Sequence, residues 1–548
     1  MQRLSALEIV LRHVAESRAP LAVAEARSMH ERSGDAYVLG LVSFSQFICQ
    51  RFEAASATAQ RALAEATDIE AIMLARAVAG LAASGWTLDS AEDSLVAARD
   101  DLDVLGGLKP DSAMFIRYLL AEAALDCARL RLAGEFLEGS PELNPDFLAG
   151  SDGRHPYFTI MQIMVVRVLA FQGRITEAID FGERALKKSG EGMPRLLLDA
   201  TMCLVRGNAA QKSTMRALAE RVEKSLPDPH DYLSSGGYLL VAFGLVATAD
   251  VEGAARLVIR AGRTPGLESL TIIDRALGLE MLVAAAVVAD DLDAARSWLQ
   301  RAEPLAATTI GRPTVERIKS RVAFLAGDAA AAATWARRAV THSKEDDRAV
   351  ETAEGEILLS RALIALEQRG IASVALETLA LESSSSGHLA ARQSAARELR
   401  GIGRRLRPRA GSGFSGLSDR ERDVALLIVE GFSNAAIAAE LHLSEHTVQV
   451  HVSRVLAAFG VASRFALAAQ LADHVAVPAG SQPPPPLTPR QHAVVDHLVL
   501  GLSNEQIGTA LGVSVKTVEK HVSEIFRRWG VASRIGVSRI ARLRTEKS

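Results

Sequence analysis

Two segments near the C-terminus carry polar side chains at spacings that place them on one face of a helix. They comprise Gln449, Ser453 and Arg454 in the first segment, and Lys516, Glu519, Lys520 and Ser523 in the second. Amide, hydroxyl and ammonium groups presented in this way can hydrogen-bond to base edges and phosphates in the major groove of DNA. The chemistry that these residues favour is therefore recognition of a nucleic acid.

Catalytic and metal-binding patterns do not occur elsewhere in the sequence. His155, His230 and His342 are isolated, with no nucleophile-and-base cluster and no ligand spacing. The three cysteines, Cys49, Cys127 and Cys203, lack metal or disulfide spacing and are expected to be small apolar core residues. The sequence therefore predicts no enzyme activity, no cofactor and no metal.

The two polar segments belong to a module that occurs twice in the sequence. Residues 417–464 and 487–534 align without a gap at an offset of 70, and about twenty of the 48 positions are identical. Chance would give roughly three or four identities in an alignment of this length. We call the modules copy one (412–476) and copy two (487–548).

Each copy contains start signals for three short helices. Ser418 and Thr488 are expected to cap the first, Ser433 and Ser503 the second, and Ser444 and Ser514 the third. In the third helix an apolar stripe recurs and is expected to be core rather than a binding surface: Val448, Val452, Val455 and Phe459, matched by Val518, Val522, Ile525 and Trp529. Two helices joined by a tight turn, the second with a polar outer face, form a helix-turn-helix.

The predicted DNA-contacting residues lie on or beside the third helix of each copy. They are Thr447, Gln449, Val450, Ser453 and Arg454 in copy one, and Lys516, Thr517, Glu519, Lys520, Ser523, Arg527 and Arg528 in copy two.

The pattern L-[ST]-x-R-[EQ] … G-x-S-N-x-x-I … L-x-x-S-x-x-T-V-x-x-H-V … G-V-x-S-R resembles the LuxR-type helix-turn-helix, a four-helix module of bacterial transcription regulators. The resemblance covers about 120 of the 548 residues. With the preceding basic and repeat segments, the chain resembles the C-terminal part of large ATP-binding LuxR-type regulators typified by the activator of maltose genes. Their ATPase module has no counterpart here, because the sequence lacks a G-x-x-x-x-G-K-[ST] phosphate-binding loop.

The two copies depart from the family pattern in different ways. Family members usually carry Lys directly after the Thr-Val of the third helix, whereas this chain has Gln449 in copy one and Glu519 in copy two. Over matched spans, residues 417–471 carry a net charge of about −2 and residues 487–541 about +3. Because phosphate neutralisation supplies most non-specific affinity, copy one is expected to bind DNA more weakly.

A Pro-rich linker (477–486) separates the copies and ends in four consecutive prolines. The chain between Leu471 and Leu487 can span at most about 50 Å, which exceeds the ~34 Å between half-sites one helical turn apart. We hypothesise that the copies act as a pseudo-dimer on two unlike half-sites. The alternative is that copy one only packs against copy two.

Residues 1–386 are predicted to form helical pairs. Segments such as 245–261 and 282–302 share one scheme of two helices around a short turn, and Ala254–Arg256 recurs at Ala294–Arg296 with a period of about 40. The pattern resembles degenerate tetratricopeptide-type repeats. Their concave surface is expected to sense a small-molecule or protein effector, the alternative being a spacer or self-association arm.

Composition agrees with an all-α protein: 49% of residues are hydrophobic, 23% charged and only 5% aromatic.

A serine run at 383–386 is interpreted as a flexible break, followed by a basic helix and linker (387–411). No leader or membrane-spanning window is apparent, so a cytoplasmic location is expected. Residues 1–386 carry about −11 of the net charge, in contrast to the basic segment that follows them.

The sequence thus predicts a tetratricopeptide-like superhelix followed by two four-helix LuxR-type domains, in a regulator that binds double-stranded DNA. RNA polymerase and a second copy of the chain are further candidate partners. The alternative function is a protein-interaction scaffold whose helix-turn-helix domains no longer bind DNA tightly.

Overall fold

The computed structural model describes residues 2–86, 91–137, 156–406, 413–417, 419–429, 432–461, 463–471, 485–499, 502, 504–529 and 537. Within these ranges the regular secondary structure is entirely helical, so the predicted all-α class is confirmed. The chain divides into two compact units, Met1–Arg405 and Leu406–Ser548. None of the described helices is both long and apolar enough to cross a membrane.

The first unit contains 21 described α-helices. Their bounds are α1 Gln2–Ala15, α2 Ala19–Ser33, α3 Ala36–Ile48, α4 Phe52–Glu65, α5 Ile69–Trp86, α6 Ala91–Asp100, α7 Pro110–Asp126, α8 Leu130–Leu137, α9 Pro156–Phe171, α10 Ile175–Lys188, α11 Met193–Asn208, α12 Lys212–Ser225, α13 Tyr232–Ala247, α14 Val251–Gly262, α15 Ile272–Val288, α16 Leu292–Ala302, α17 Arg312–Leu325, α18 Ala329–Glu345, α19 Ala349–Ala365, α20 Arg369–Ser386 and α21 Leu389–Gly401.

Most of these helices pack as antiparallel pairs, which confirms the predicted helical repeats. The turns inside three successive pairs have the same chemistry: a residue with positive φ is followed by an aspartate that caps the next helix. Asp250 accepts from Gly253 N at 3.0 Å, Asp291 from Ala294 N at 2.9 Å and Asp328 from Ala331 N at 2.9 Å. These caps recur at the period of about 40 residues seen in the sequence.

Glycine permits a close helix crossing in this unit. A Cβ on Gly207 of α11 would lie 2.5 Å from the carbonyl oxygen of Gly244 in α13. Since real Cβ atoms do not approach carbonyl oxygens this closely, a larger residue would push the two backbones apart.

Helix pairs that are distant in sequence also contact each other, because the successive pairs form a curved row. Gln50 Nε2 donates to Ser235 Oγ at 3.2 Å, and Arg129 Nη1 donates to Asp346 Oδ1 at 2.7 Å. The first helices of successive pairs face inwards and enclose a cavity.

The serine run is not the flexible break that was predicted. Residues 382–386 form the last turns of α20, and Gly387 ends the helix in the left-handed region with φ of +83°. Leu379, Ala380 and Ser383 are buried, and Ser384 Oγ donates to the carbonyl of Ala380 at 2.7 Å. Burial of this face and local hydrogen bonds keep the segment helical.

The basic helix after the serine run is also part of the first unit. Helix α21 packs against α19 and α20, with Ala391, Ala395 and Leu399 buried. Helix α21 therefore belongs to the compact unit that ends at Arg405. Cys127 and Cys203 are buried, as predicted for core residues, whereas Cys49 is only half-buried.

The second unit contains α22 Asp419–Val429, α23 Asn434–Glu440, α24 Glu445–Phe459 and α25 Arg464–Leu471 in copy one, and α26 Pro489–Val499, α27 Asn504–Leu511 and α28 Val515–Trp529 in copy two. Each copy has its own hydrophobic core. The predicted fourth helix of copy two and most of the linker fall outside the described residues.

Candidate nucleic-acid interface

The third helix of each copy begins at the serine that the sequence predicted. Ser444 Oγ accepts from Thr447 N at 3.1 Å, and Ser514 Oγ accepts from Thr517 N at 3.2 Å. These caps satisfy one of the free N–H groups at each helix start. Thr488 and Gln491 also form the predicted reciprocal capping box in copy two. Ser418 and Ser503 lie outside the described residues.

The cap also determines where the two predicted threonine contacts point. Thr447 Oγ1 lies 2.8 Å from Ser444 Oγ, and Thr517 Oγ1 lies 2.8 Å from Ser514 Oγ. Both threonines are half-buried. Their hydroxyl groups take part in the helix cap, so a contact to DNA would have to share them with the serine.

The apolar stripe of the third helix forms the core of each copy. In α24 Val448, Val455 and Phe459 are buried, while Val452 is only half-buried; in α28 the stripe is buried at Val518, Val522, Ile525 and Trp529. The prediction that this face is structural is confirmed at seven of the eight positions, with Val452 at the margin of the core. The opposite face is consequently the one presented to solvent.

Five matched positions on each third helix are exposed and share one face. They are His446, Gln449, Val450, Ser453 and Ala457 in α24, and Lys516, Glu519, Lys520, Ser523 and Arg527 in α28. With histidine neutral, the first face has no formal charge and the second has a net charge of +2. The sequence reading missed His446, which the 70-residue offset pairs with Lys516. These faces account for two of the about five charges by which the copies differ over the matched spans.

Two of the predicted DNA-contacting arginines also bind the first helix of their own copy. Arg454 is half-buried, with Nη1 lying 3.4 Å from Glu421 Oε1. Arg528 is exposed and its Nη1 donates to Gln491 Oε1 at 3.1 Å. Arg527 is 74% exposed and pairs with Glu524 one turn away. Arg527 and Arg528 are both exposed, whereas the half-buried Arg454 is the least available of the three to a phosphate.

The signature arginine at the start of each copy has a structural role that sequence reasoning missed. Arg420 donates to the carbonyl of Leu441, and Arg490 Nη2 donates to the carbonyl of Leu511 at 2.7 Å. Both bonds tie the first helix to the end of the second. Arg464, in the Ser-Arg pair after α24, likewise donates to Phe432 O at 2.8 Å. The 70-residue offset alone could have identified the first two as equivalent, but not their acceptors.

The turn before the third helix requires a left-handed residue in both copies. Copy one places His442 there with φ of +53°, whereas copy two places Gly512 with φ of +66°. Only glycine adopts this conformation without steric cost, which for other residues is about 1–2 kcal/mol. Copy one therefore carries backbone strain that copy two avoids.

Replacing His442 with glycine is expected to stabilise copy one by about 0.5–1 kcal/mol, since relief of strain exceeds the added freedom of the unfolded chain. Slower amide hydrogen exchange in α24 of the full chain would measure the gain. The reciprocal change, Gly512→Ala, should speed exchange in α28. Faster exchange in α24 after His442→Gly would contradict the strain.

The family comparison identifies both copies. The model described as "Bacterial regulatory proteins, luxR family" matches residues 415–471 and 485–541. The chain therefore carries two tandem LuxR-type helix-turn-helix domains. Together they occupy about a fifth of the chain.

Similar proteins match mainly over one such domain. A Mycobacterium bovis protein named as an HTH-type transcriptional regulator, Mb0914c, is 47% identical over 68 residues, which is 12% of this chain and 8% of the relative. The nitrate/nitrite response regulator protein NarP of Escherichia coli is 45% identical over 53 residues, 10% of this chain and 25% of NarP. The chain thus spans only a small part of the length of the curated relatives it matches.

A solved structure of a Rap protein complexed with Competence and Sporulation Factor is similar to this chain with a TM-score of 0.45 and 10% identity. The similarity covers 67% of this chain and 99% of the Rap chain.

Proposed function

We propose that the protein is a DNA-binding transcription regulator in which copy two supplies most of the affinity for double-stranded DNA. The observation that carries this proposal is the exposed face of α28, where Lys516, Lys520 and Arg527 project from a capped recognition helix in a LuxR-type domain. Ammonium and guanidinium groups on such a helix bind phosphates and base edges in the major groove.

Copy one offers a different chemistry for a second half-site. Gln449 can pair bidentately with adenine, and the exposed Val450 can contact the methyl group of thymine. The neutral face supplies little phosphate affinity, so copy one would contribute to sequence preference more than to total binding. This difference supports the hypothesis of an asymmetric pair of half-sites.

The helical repeats are proposed to act as the sensory part of the regulator. Support comes from the cavity that their inner helices enclose, which a simple spacer would not need.

A duplex of about 40 base pairs from upstream of the protein's own gene is long enough to test this proposal by footprinting and fluorescence anisotropy. Affinity is expected to fall steeply between about 50 and 200 mM salt. Lys520→Ala should weaken binding across the footprint, whereas Gln449→Ala should remove protection over one half only.

The outcomes separate the alternatives. A loss for Lys520→Ala alone would mean that copy two works by itself, and equal affinity for duplexes with one and two half-sites would exclude the pseudo-dimer. The neutral face of α24 favours the second candidate, a protein-interaction scaffold. If the protein does not bind DNA, or if its affinity for DNA does not change with salt concentration, the scaffold is supported and the proposal is overturned.

A further inference from the structure

The first unit encloses a cavity of about 240 Å³ between the inner helices of successive pairs. Its wall includes a broad apolar part, contributed by Ile163, Phe171, Leu240, Phe243, Leu277 and Met281. Charged side chains form the remainder of the wall in two groups. A concave, mostly apolar cavity with a few convergent polar groups is the usual form of a small-ligand site.

In one charged group of the wall, each carboxylate has an arginine partner. Arg317 of α17 binds Glu280 of α15 in bidentate fashion, with Nε to Oε1 at 2.8 Å and Nη2 to Oε2 at 2.7 Å. Its Nη1 lies 2.7 Å from Glu351 Oε2. Arg321 of the same helix pairs with Glu354. These ion pairs join α15, α17 and α19 and give this part of the wall a structural role.

In the second charged group of the wall, the carboxylates outnumber the guanidinium groups. Three carboxylates, Glu122, Asp126 and Asp274, line the cavity together with one guanidinium, that of Arg167. Arg167 Nη1 binds Glu122 Oε1 at 2.6 Å. One cation cannot compensate three carboxylates, so this part of the wall carries surplus negative charge when all are ionised.

Asp126 receives only long hydrogen bonds, from the neutral hydroxyl groups of Tyr232 and Ser84. It is only 2% exposed. The hydroxyl of Tyr232 lies 3.3 Å from Asp126 but 2.6 Å from Glu122, and a phenol has a single proton to donate. Ser84 Oγ lies 3.4 Å from Asp126 and donates to the carbonyl of Leu81 at 2.7 Å. The two hydroxyl groups near this buried carboxylate therefore make their shorter hydrogen bonds to other acceptors, Glu122 and the carbonyl of Leu81.

The energetics of these carboxylates agree with the geometry. Burial, followed by the like charges of Glu122 and Asp274, raises the pKa of Asp126 well above its usual range. Burial also raises the pKa of Asp274 to about 6. Both shifts mean that burial disfavours the ionised forms of these two carboxyl groups.

A buried carboxylate elsewhere in the first unit has arginine partners. Asp199 of α11 is equally buried but lies 2.7 Å from Arg221 and 3.3 Å from Arg195. Burial of a carboxylate in this unit therefore does not by itself exclude a cationic partner, and Asp126 differs from Asp199 in having none at ion-pair distance within the part of the chain that the structure describes. A metal ion would not supply the missing charge, since the described residues contain no acidic or histidine cluster able to hold one.

We infer that this cavity binds an organic cation, an ammonium or guanidinium group on an apolar body, with Asp126 and Asp274 receiving the cation and the apolar wall holding the body. The inference rests on the proposed sensory role of the repeats and names its ligand class. The cation would supply the positive charge and the short hydrogen bonds that Asp126 does not receive from Tyr232 and Ser84, and Tyr232 would continue to donate to Glu122. Binding in this way would strengthen contacts between α7 and α15, which belong to different helix pairs.

Isothermal titration calorimetry of the full chain with 2-phenylethylammonium and agmatine tests the inference. Matched controls are the neutral 2-phenylethanol and the anionic 3-phenylpropanoate. At least one cation is expected to bind at least about tenfold more tightly than both controls, because only a cation can pair with a buried carboxylate. Equal binding of the alcohol, or no binding of either cation, would overturn the inference.

Asp126→Asn separates a ligand-binding role from a structural one. The isosteric amide should weaken cation binding at least about tenfold and, without ligand, raise the melting temperature by about 1–3 °C, since a disfavoured charge is removed. Asp199→Asn, the matched control, should leave cation binding unchanged and lower the melting temperature. A lower melting temperature for Asp126→Asn with unchanged cation binding would show that Asp126 is structural and would refute the assignment.

The two proposals fail independently. Calorimetry with the cations needs no DNA, and the salt titration with DNA needs no cation. Loss of DNA binding with intact cation binding would refute the proposed function alone, whereas the reverse result would refute the cation site alone.

Discussion

Replacing Arg317 with methionine is expected to destabilise the first unit by about 3–5 kcal/mol, the usual cost of breaking a buried ion pair from one side. Arg317 is 1% exposed and its guanidinium serves both Glu280 and Glu351. Removal of the cation would leave Glu280 only the more distant Arg321, at 3.6 Å, and Glu351 only Arg348, at 3.8 Å, in a low-dielectric interior. The ion pairs that join α15, α17 and α19 would be reduced to those of Arg321.

Urea denaturation of the full chain, followed by far-UV circular dichroism, measures this loss as a shift in the transition of the first unit. The matched control is Arg61→Met, because Arg61 is exposed and pairs with Glu65 at 3.2 Å on the surface of α4. That change should cost less than about 0.5 kcal/mol. Similar losses for the two variants would contradict a structural role for the buried network.

Removing the two carboxylates together with Arg317 provides a second check. In the triple variant Arg317→Met, Glu280→Gln and Glu351→Gln no uncompensated charge remains. Most of the lost stability should return, since neutral side chains of similar volume often replace buried ion pairs at little cost. No recovery would mean that packing of the arginine stem, and not its charge, holds the three helices.

Changing Lys516, Lys520 and Arg527 together to alanine is expected to weaken binding to duplex DNA by about 100-fold at low salt. Each cation that neutralises a phosphate contributes about 0.9 to the slope of log K against log salt, so the slope should fall by about 2.7. Fluorescence anisotropy at several salt concentrations measures both quantities. The three side chains are exposed and lie on the surface of α28, so the fold of copy two should persist.

Copy one offers a matched control at the same helix positions. His446→Ala with Val450→Ala changes two exposed residues of α24 that correspond to Lys516 and Lys520. The salt slope should be unchanged, because neither side chain carries a formal charge at neutral pH. An unchanged slope for the copy-two variant, or equal losses in both copies, would contradict the proposed division of roles.

Predictions from the sequence were most successful where a feature depends on neighbours along the chain. The caps at Ser433, Ser444 and Ser514 are each determined within a few residues, and all are present. The helical period likewise identified the buried stripe. The serine run at 383–386 is the exception, because its helix depends on burial against neighbouring helices that the local composition does not reveal.

Contacts between distant residues were not predictable in the same way. The sequence placed Arg454 and Arg528 on the DNA-facing side, but the structure pairs them with Glu421 and Gln491, 33 and 37 residues away. Likewise nothing in the sequence connects Asp126 with Tyr232 or Asp274. Such contacts depend on the angles and offsets at which helices cross.

The sequence by itself determined the class of the protein: an all-α chain of helical pairs ending in a duplicated LuxR-type domain, with a basic face in copy two and a neutral one in copy one. These properties follow from periodicity, capping and charge, which are local. Only the tertiary structure decided which arginines are tied to the first helix, that the repeats wind round a cavity, and that Asp126 is buried there with only neutral, distant hydrogen-bond donors. Burial and pairing depend on residues that lie from 33 to more than a hundred positions apart, and their spacing along the sequence does not show which of them meet.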